Sequence, residues 1–325
     1  MESDDDLIDF KETFRDFKLS NYNQIYKYKT SYTRRVTKID ELVNGRVVKS
    51  ALNSSIRIGS TDFHDLQRLA SNNIYDNFKL SQEKKFLIIY NSFNLKIFET
   101  SHYELISSIN LLHNLNDCLL IDHEWLIYLQ EKDLYIQSFT NLSSLTNVVT
   151  IFHNFHHGSR ALCLCLVDKE NFISGSTDCN IKLWNLKTLT CLKVFNRHEG
   201  SVTCLHLFKQ DRFLSGSLDR TIKLWDLTTG ECLRTFCGHE SLITVIQVTR
   251  TNEILSLSND GEIRQWDNDN GKCVDRLRDE ESIFTYFKVL NSGKMVTGSF
   301  DGKLRKWFYK EKKTSFFKNL ISSKF

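Results

Sequence analysis

Four tryptophans, Trp184, Trp225, Trp266 and Trp307, follow one another at a constant step of 41 residues. Asp178, Asp219, Asp260 and Asp301 keep the same step, and so do Ser174, Ser215, Ser256 and Thr297. His157, His198 and His239 form a further column, with Glu280 at its last position. A single column arises by chance; four columns in step mark an internal repeat. A repeat of this length is one supersecondary unit, which buries its faces only against its neighbours.

One copy shows what the unit is. Cys204–Leu207 and Phe213–Ser215 read as short strands, the second ending in the turn Gly216-Ser217-Leu218-Asp219. Thr221–Trp225 alternates between faces and starts β-branched, as a third strand should. Thr228–Glu231 is a turn, and Cys232–Phe236 a fourth strand. Four strands of about six residues plus their turns fill the period. Such sheets, stacked radially, give an all-β propeller of four-stranded antiparallel blades.

The run Ser215-Gly216-Ser217-Leu218-Asp219-Arg220-Thr221-Ile222-Lys223-Leu224-Trp225-Asp226, followed by Gly238-His239, resembles a WD repeat. The resemblance covers residues 157–310. It implies a hydrogen-bonded set in each blade: His157, Ser174, Asp178 and Trp184; His198, Ser215, Asp219 and Trp225; His239, Ser256, Asp260 and Trp266. The last copy keeps Thr297, Asp301 and Trp307, but Glu280 replaces the histidine, so its set is expected to be broken. Buried indole and imidazole groups need partners, so these sets read as structural.

The first half carries the pattern weakly. Phe86–Tyr90 and Asn94–Glu99 pair as strands, with Phe98 in the tryptophan place. Trp125–Tyr128 and Leu134–Gln137 form a second pair, and Val47–Leu52 with Ser55–Ile58 a third. Ile58, Phe98 and Gln137 then join the four tryptophans as seven anchors. The expectation is seven blades, the first three degenerate, with six or eight as alternatives. Residues 28–313 would form the propeller, 1–27 an N-terminal extension and 314–325 a basic tail. Leu7, Phe10, Phe14 and Phe17 have helical spacing behind Asp4-Asp5-Asp6, so a short amphipathic helix is expected there. Either Tyr28–Val36 or the segment around Phe316-Phe317 would close the ring.

Composition excludes several alternatives. Proline is absent from the 325 residues and glycine numbers 13, which rules out collagen-like and low-complexity chains. A formal net charge of +3 gives no bulk field for nucleic acid. The acidic start does not resemble a secretory signal. No run approaches the ~18 apolar residues of a membrane span. Nine cysteines, an odd number, point to reduced thiols and a cytoplasmic or nuclear setting.

The reactive residue types are absorbed by the repeat. Cys191, Cys232 and Cys273 are in step, as are Cys163 and Cys204, and repeat-locked cysteines read as small core residues. Cys163-Leu164-Cys165 lacks the spacing of a zinc clip. His153 and His156 beside His157 read as loop residues rather than metal ligands. Lys182, Lys223, Arg264 and Arg305, each two before a tryptophan, read as local pairing partners. No phosphate-binding glycine loop is present. No catalysis, cofactor, metal or small-molecule substrate is therefore expected.

What remains is docking of other proteins. Resemblance to the family places partners on the rim around the central channel. The corresponding residues are Thr177, Leu218, Asn259 and Phe300, with Leu162, Thr203, Thr244 and Thr285 beside them. Exposed Phe300 would be a hot spot; the alternative is that it packs down on the next blade. The motif style is similar to the propellers of F-box/WD ubiquitin-ligase receptors. None of the eight rim residues is the arginine that forks phosphate in phosphodegron readers, although Arg160 and Arg220 lie nearby. The N-terminal stretch is too short for an F-box, and neither Trp225-Asp226-Leu227-Thr228 nor Trp266-Asp267-Asn268-Asp269 carries the Trp-Asp-x-Arg motif of cullin-4 receptors. The expected function is a scaffold or adaptor. The alternatives are a subunit or fragment of a ubiquitin-ligase assembly, and an RNA-associated propeller using the basic Lys303–Lys324 tail.

Overall fold

The computed structural model describes residues 22–28, 35–52, 54–60, 67–69, 75, 77–111, 114–121, 125–130, 133–138, 148–152, 157–209 and 211–309. Its regular elements are strands, arranged as seven four-stranded antiparallel sheets. Blade 1 runs from Val36–Glu41 at the centre through Val47–Ala51 and Arg57–Gly59 to Gln67–Arg68 at the edge. Blade 2 spans Asn77–Leu80 to Leu105–Asn110, blade 3 Leu115–Ile121 to Val148–Phe152, and blade 4 Ala161–Leu166 to Thr190–Phe195. Blade 5 spans Val202–Lys209 to Cys232–Phe236, and blade 6 Ile243–Val248 to Cys273–Arg278.

Blade 7 is composite. Its inner strands are Phe284–Val289, Met295–Ser299 and Leu304–Tyr309, and its outer strand is Tyr22–Tyr28 from the other end of the chain. Tyr22 pairs with Tyr309 and Tyr28 with Leu304. The closing strand is therefore Tyr22–Tyr28 rather than Tyr28–Val36, and residues 22–27 belong to the ring rather than to an extension. Val36 instead begins the inner strand of blade 1. Both Phe316-Phe317 and the expected helix at Leu7–Phe17 lie outside the described residues.

The apolar core lies between blades. Seven separate hydrophobic clusters each join one blade to the next, including the pair formed by blades 7 and 1. Each of the four repeat tryptophans packs towards the preceding blade. The rings of Phe195 and Trp225 meet at 5.5 Å and those of Phe236 and Trp266 at 5.9 Å. Gly216 shows how closely the blades approach: a Cβ there would lie 2.6 Å from Ile243 Cγ2 of blade 6. The anchors Ile58, Phe98 and Gln137 all fall on third strands, as the four repeat tryptophans do. Phe98 also shares the register shift seen at Trp184, Trp225 and Trp266.

An even number of antiparallel strands returns the chain to the face by which it entered. The inner strands therefore run alike around the channel. Turns joining second to third strands, and the loops between blades, all emerge on one face, here called the top.

Candidate partner-docking face

The top face is held in shape by the repeat columns. In blade 5, His198 Nε2 lies 2.6 Å from Ser215 Oγ, its Nδ1 lies 2.6 Å from Asp219 Oδ2, and Trp225 Nε1 donates to Ser215 Oγ at 2.8 Å. Blade 4 repeats this through His157, Ser174, Asp178 and Trp184, and blade 6 through His239, Ser256, Asp260 and Trp266. The aspartate also caps backbone: Asp260 accepts from Glu240 N at 3.0 Å and Glu262 N at 2.9 Å. Burial pushes the Asp260 carboxyl up, but the bonds from His239 and these amides outweigh it and bring it to about 2. Burial dominates at His157 and lowers its pKa, with Asp178 opposing.

Ser–His–Asp is also the order of a nucleophilic triad, but here the serine lies inside the blade. Ser215 is fully buried, and its oxygen accepts a hydrogen bond from the indole N–H of Trp225.

Blade 7 solves the missing histidine differently. Glu280 is exposed, and Trp307 still donates to Thr297 Oγ1 at 2.9 Å. Fully buried Arg305 meets Asp279 Oδ2 at 2.7 Å, Ser299 Oγ at 2.6 Å and Asp301 Oδ2 at 3.4 Å. The loop-to-turn link is thus rebuilt with a charge rather than lost.

One backbone bond fixes the rim position blade by blade. The amides of Thr177, Leu218, Asn259 and Phe300 donate to Arg160 O, Ser201 O, Leu242 O and Ile283 O. Leu52 N donates to Arg35 O in the same way, which makes Leu52 the blade 1 counterpart. Blade 2 places Phe93 in its matching turn. Leu52, Phe93, Leu218, Ile283 and Phe300 are between 47% and 61% exposed, all on the top face. Phe300, the most exposed of the five, does not pack down on its neighbour. Asn259 is exposed and Thr177 is half-buried, its hydroxyl bonded to Ser159 Oγ at 2.7 Å.

The second rim column behaves differently. Leu162, Thr203, Thr244 and Thr285 are the extra residues of a bulge at the start of each inner strand. Thr203 Oγ1 donates to Ile243 O at 2.5 Å and Thr285 Oγ1 to Val36 O at 2.6 Å, each crossing to the next blade. Thr244 Oγ1 donates to Leu257 O at 3.1 Å. These hydroxyls are committed to the ring and line the channel mouth.

Other expectations shift once the blades are placed. Cys191 and Cys273 are exposed and Cys232 half-buried, because their column lies on outer strands; they are not core residues. Cys163 is buried and Cys204 half-buried. Lys182 lies over the Trp184 ring, Lys223 donates to Thr235 and Arg264 pairs with Glu262, as local partners should. His153, His156 and the tail beyond Tyr309 lie outside the described residues. Among those described, no helix is long and apolar enough to cross a membrane.

The geometry defines a class: a seven-bladed β-propeller with an apolar, solvent-facing top. Residues 148–185, 189–226 and 230–267 match the family described as WD domain, G-beta repeat, so this propeller carries WD40 repeats. Each match starts on an outer strand and ends beyond the tryptophan of the next blade, so each repeat ties two blades together. The chain is similar in fold to the WD40 beta propeller domain of Doa1, with a TM-score of 0.73 and 21% identity over 89% of this chain and 98% of that one. It is also 48% identical over 50 residues to two human proteins, F-box and WD repeat domain containing protein 10B and F-box/WD repeat-containing protein 10. That stretch is 15% of this chain but only 6% and 5% of those relatives.

Proposed function

We propose that this chain is a non-enzymatic docking platform that holds a segment of a partner protein on the top face of the propeller. The observation that carries the reading is the set of exposed apolar side chains at Leu52, Phe93, Leu218, Ile283 and Phe300, all on one face. About half of each side chain stays in water, so the fold leaves this apolar surface uncovered. These side chains provide contact area and anchors for a partner. WD40 propellers in general serve as protein-interaction scaffolds, and this face has the chemistry for that role.

The test is affinity purification of the full chain from its native cells, comparing wild type with Leu218→Asp/Phe300→Asp. The expected result is a set of partners lost from a variant that melts as wild type does. Partners retained at full yield by the folded variant overturn the top-face assignment.

The 50-residue likeness to two F-box/WD proteins favours one specific setting, substrate recognition within a ubiquitin-ligase assembly. Cullin and its adaptors among the recovered proteins support it; a partner set without ligase components counts against it.

A further inference from the structure

The central channel divides into two unlike walls. Blades 7, 1, 2 and 3 contribute Lys288, Lys38, Asp40, Lys79 and Asp117 to a cavity of about 790 Å³. Blades 4 to 6 face them with a less charged wall, where Leu162, Leu205 and Leu207 stand beside Thr203, Thr244 and Gln247. The one histidine on that side, His206, turns Nδ1 towards Leu207 O at 2.7 Å, and burial lowers its pKa towards the neutral form.

Charge in this cavity does not balance. Lys79 pairs with Asp117 at 2.7 Å and Lys288 with Asp40 at 2.8 Å. Asp117 is further filled by the amides of Leu164 and Cys118, at 2.8 and 2.9 Å, and Asp40 by the amide of Glu41 at 2.8 Å. Lys38 is left over. Its ammonium lies 5.6 Å from the centre of the Phe78 ring and, among the described residues, forms no ion pair. Burial and the neighbouring Lys79 ammonium lower its pKa, with Asp117 and Asp40 opposing. A half-buried ammonium that lines a cavity of this size without an ion-pair partner gains a charge-assisted contact from an anion that enters it.

We propose that the channel is a binding site for a compact organic anion, its carboxylate or phosphate seated on Lys38 and its apolar body against the wall of blades 4 to 6. The site is separate from the top-face anchors and does not depend on them. Lys38 supplies the attraction, and the two flanking ion pairs hold the surrounding wall rigid. The apolar wall selects against fully hydrated inorganic ions.

Calorimetric titration of the full chain with benzoate, phenyl phosphate, inorganic phosphate and benzyl alcohol tests this. Saturable binding of benzoate or phenyl phosphate at one site per chain is expected, and the stronger of the two names the anionic group. Lys38→Met should weaken it about tenfold, as loss of one charge-assisted contact does, while Lys38→Arg should retain it. Lys38→Met removes a half-buried cation that forms no ion pair among the described residues, so it should melt no lower than wild type and remain a usable probe. Leu218→Asp/Phe300→Asp should bind the anion unchanged, so failure of the docking proposal is distinguishable from failure of this one. The proposal is overturned if neither aromatic anion saturates, if Lys38→Met binds as wild type does, or if benzyl alcohol binds as tightly. Inorganic phosphate binding as tightly as phenyl phosphate overturns the role of the apolar wall.

Discussion

Arg305 Nε lies 2.7 Å from Asp279 Oδ2, so blade 7 joins its entry loop to its turn by a buried ion pair where blades 4 to 6 use histidine. Asp279→Asn leaves Arg305 the Ser299 bond and the longer contact to Asp301. It should cost about 1–3 kcal/mol, the usual loss of a buried charged partner. Glu280→Ala, on the exposed residue in the histidine column, should stay within about 0.5 kcal/mol. Urea unfolding of both variants checks the contrast; equal effects would mean that Arg305 is not the link.

The tetrads predict graded losses. Trp225→Ala empties a fully buried site and should cost about 3–5 kcal/mol. Ser215→Ala keeps the packing but leaves an indole N–H and an imidazole nitrogen without partners, for about 1–3 kcal/mol. Equilibrium unfolding followed by tryptophan fluorescence separates the two.

Stability should fall on the acid side in two stages. His157 titrates lower in the fold than its ordinary value, so its contribution is complete above about pH 6.5 and is lost as pH falls below that. Asp219 and Asp260 are depressed, Asp260 to about 2, so theirs holds above their ordinary carboxylate range and is lost as pH falls towards that value. Melting temperature measured from pH 8 downwards (at constant ionic strength) should decline first below about 6.5 and more steeply below about 4. A rise in stability over that range would contradict the assigned partners.

Ring closure depends on Tyr22–Tyr28. Deleting the chain through Tyr28 strips the outer strand from blade 7 and exposes the edge of Leu304–Tyr309. At about 1 kcal/mol per ladder bond the loss is several kcal/mol, and the bare edge invites association. Thermal melting with light scattering should show a lower, aggregation-coupled transition.

Leu52 and Phe93 extend the apolar face into blades 1 and 2. Leu52→Asp/Phe93→Asp should leave melting unchanged and weaken partner capture as the blade 5 and 7 variant does. Intact capture would confine docking to the later blades.

Four columns in step were enough to read the all-β propeller, the WD40 resemblance and the tetrads, because blades 4 to 6 repeat the same buried hydrogen-bonding problem with the same residues. The weaker anchors Ile58, Phe98 and Gln137 were legible from strand–turn–strand pairs spaced by about one period. The sequence could not choose the closing strand, since pairing of Tyr22 with Tyr309 joins opposite ends of the chain and has no local signature. Nor could it find the Arg305–Asp279 substitute or the counterpart role of Leu52, which exist only once a turn and a loop are brought side by side. The cysteine column shows the same limit: periodicity reports that positions are equivalent, but only the stacking of blades decides that Cys191 and Cys273 face solvent while Cys163 is enclosed. Lys38 carries no motif at all. Its unmatched charge arises because four blades converge on one axis, where tertiary structure alone decides which ammonium finds a carboxylate and which does not.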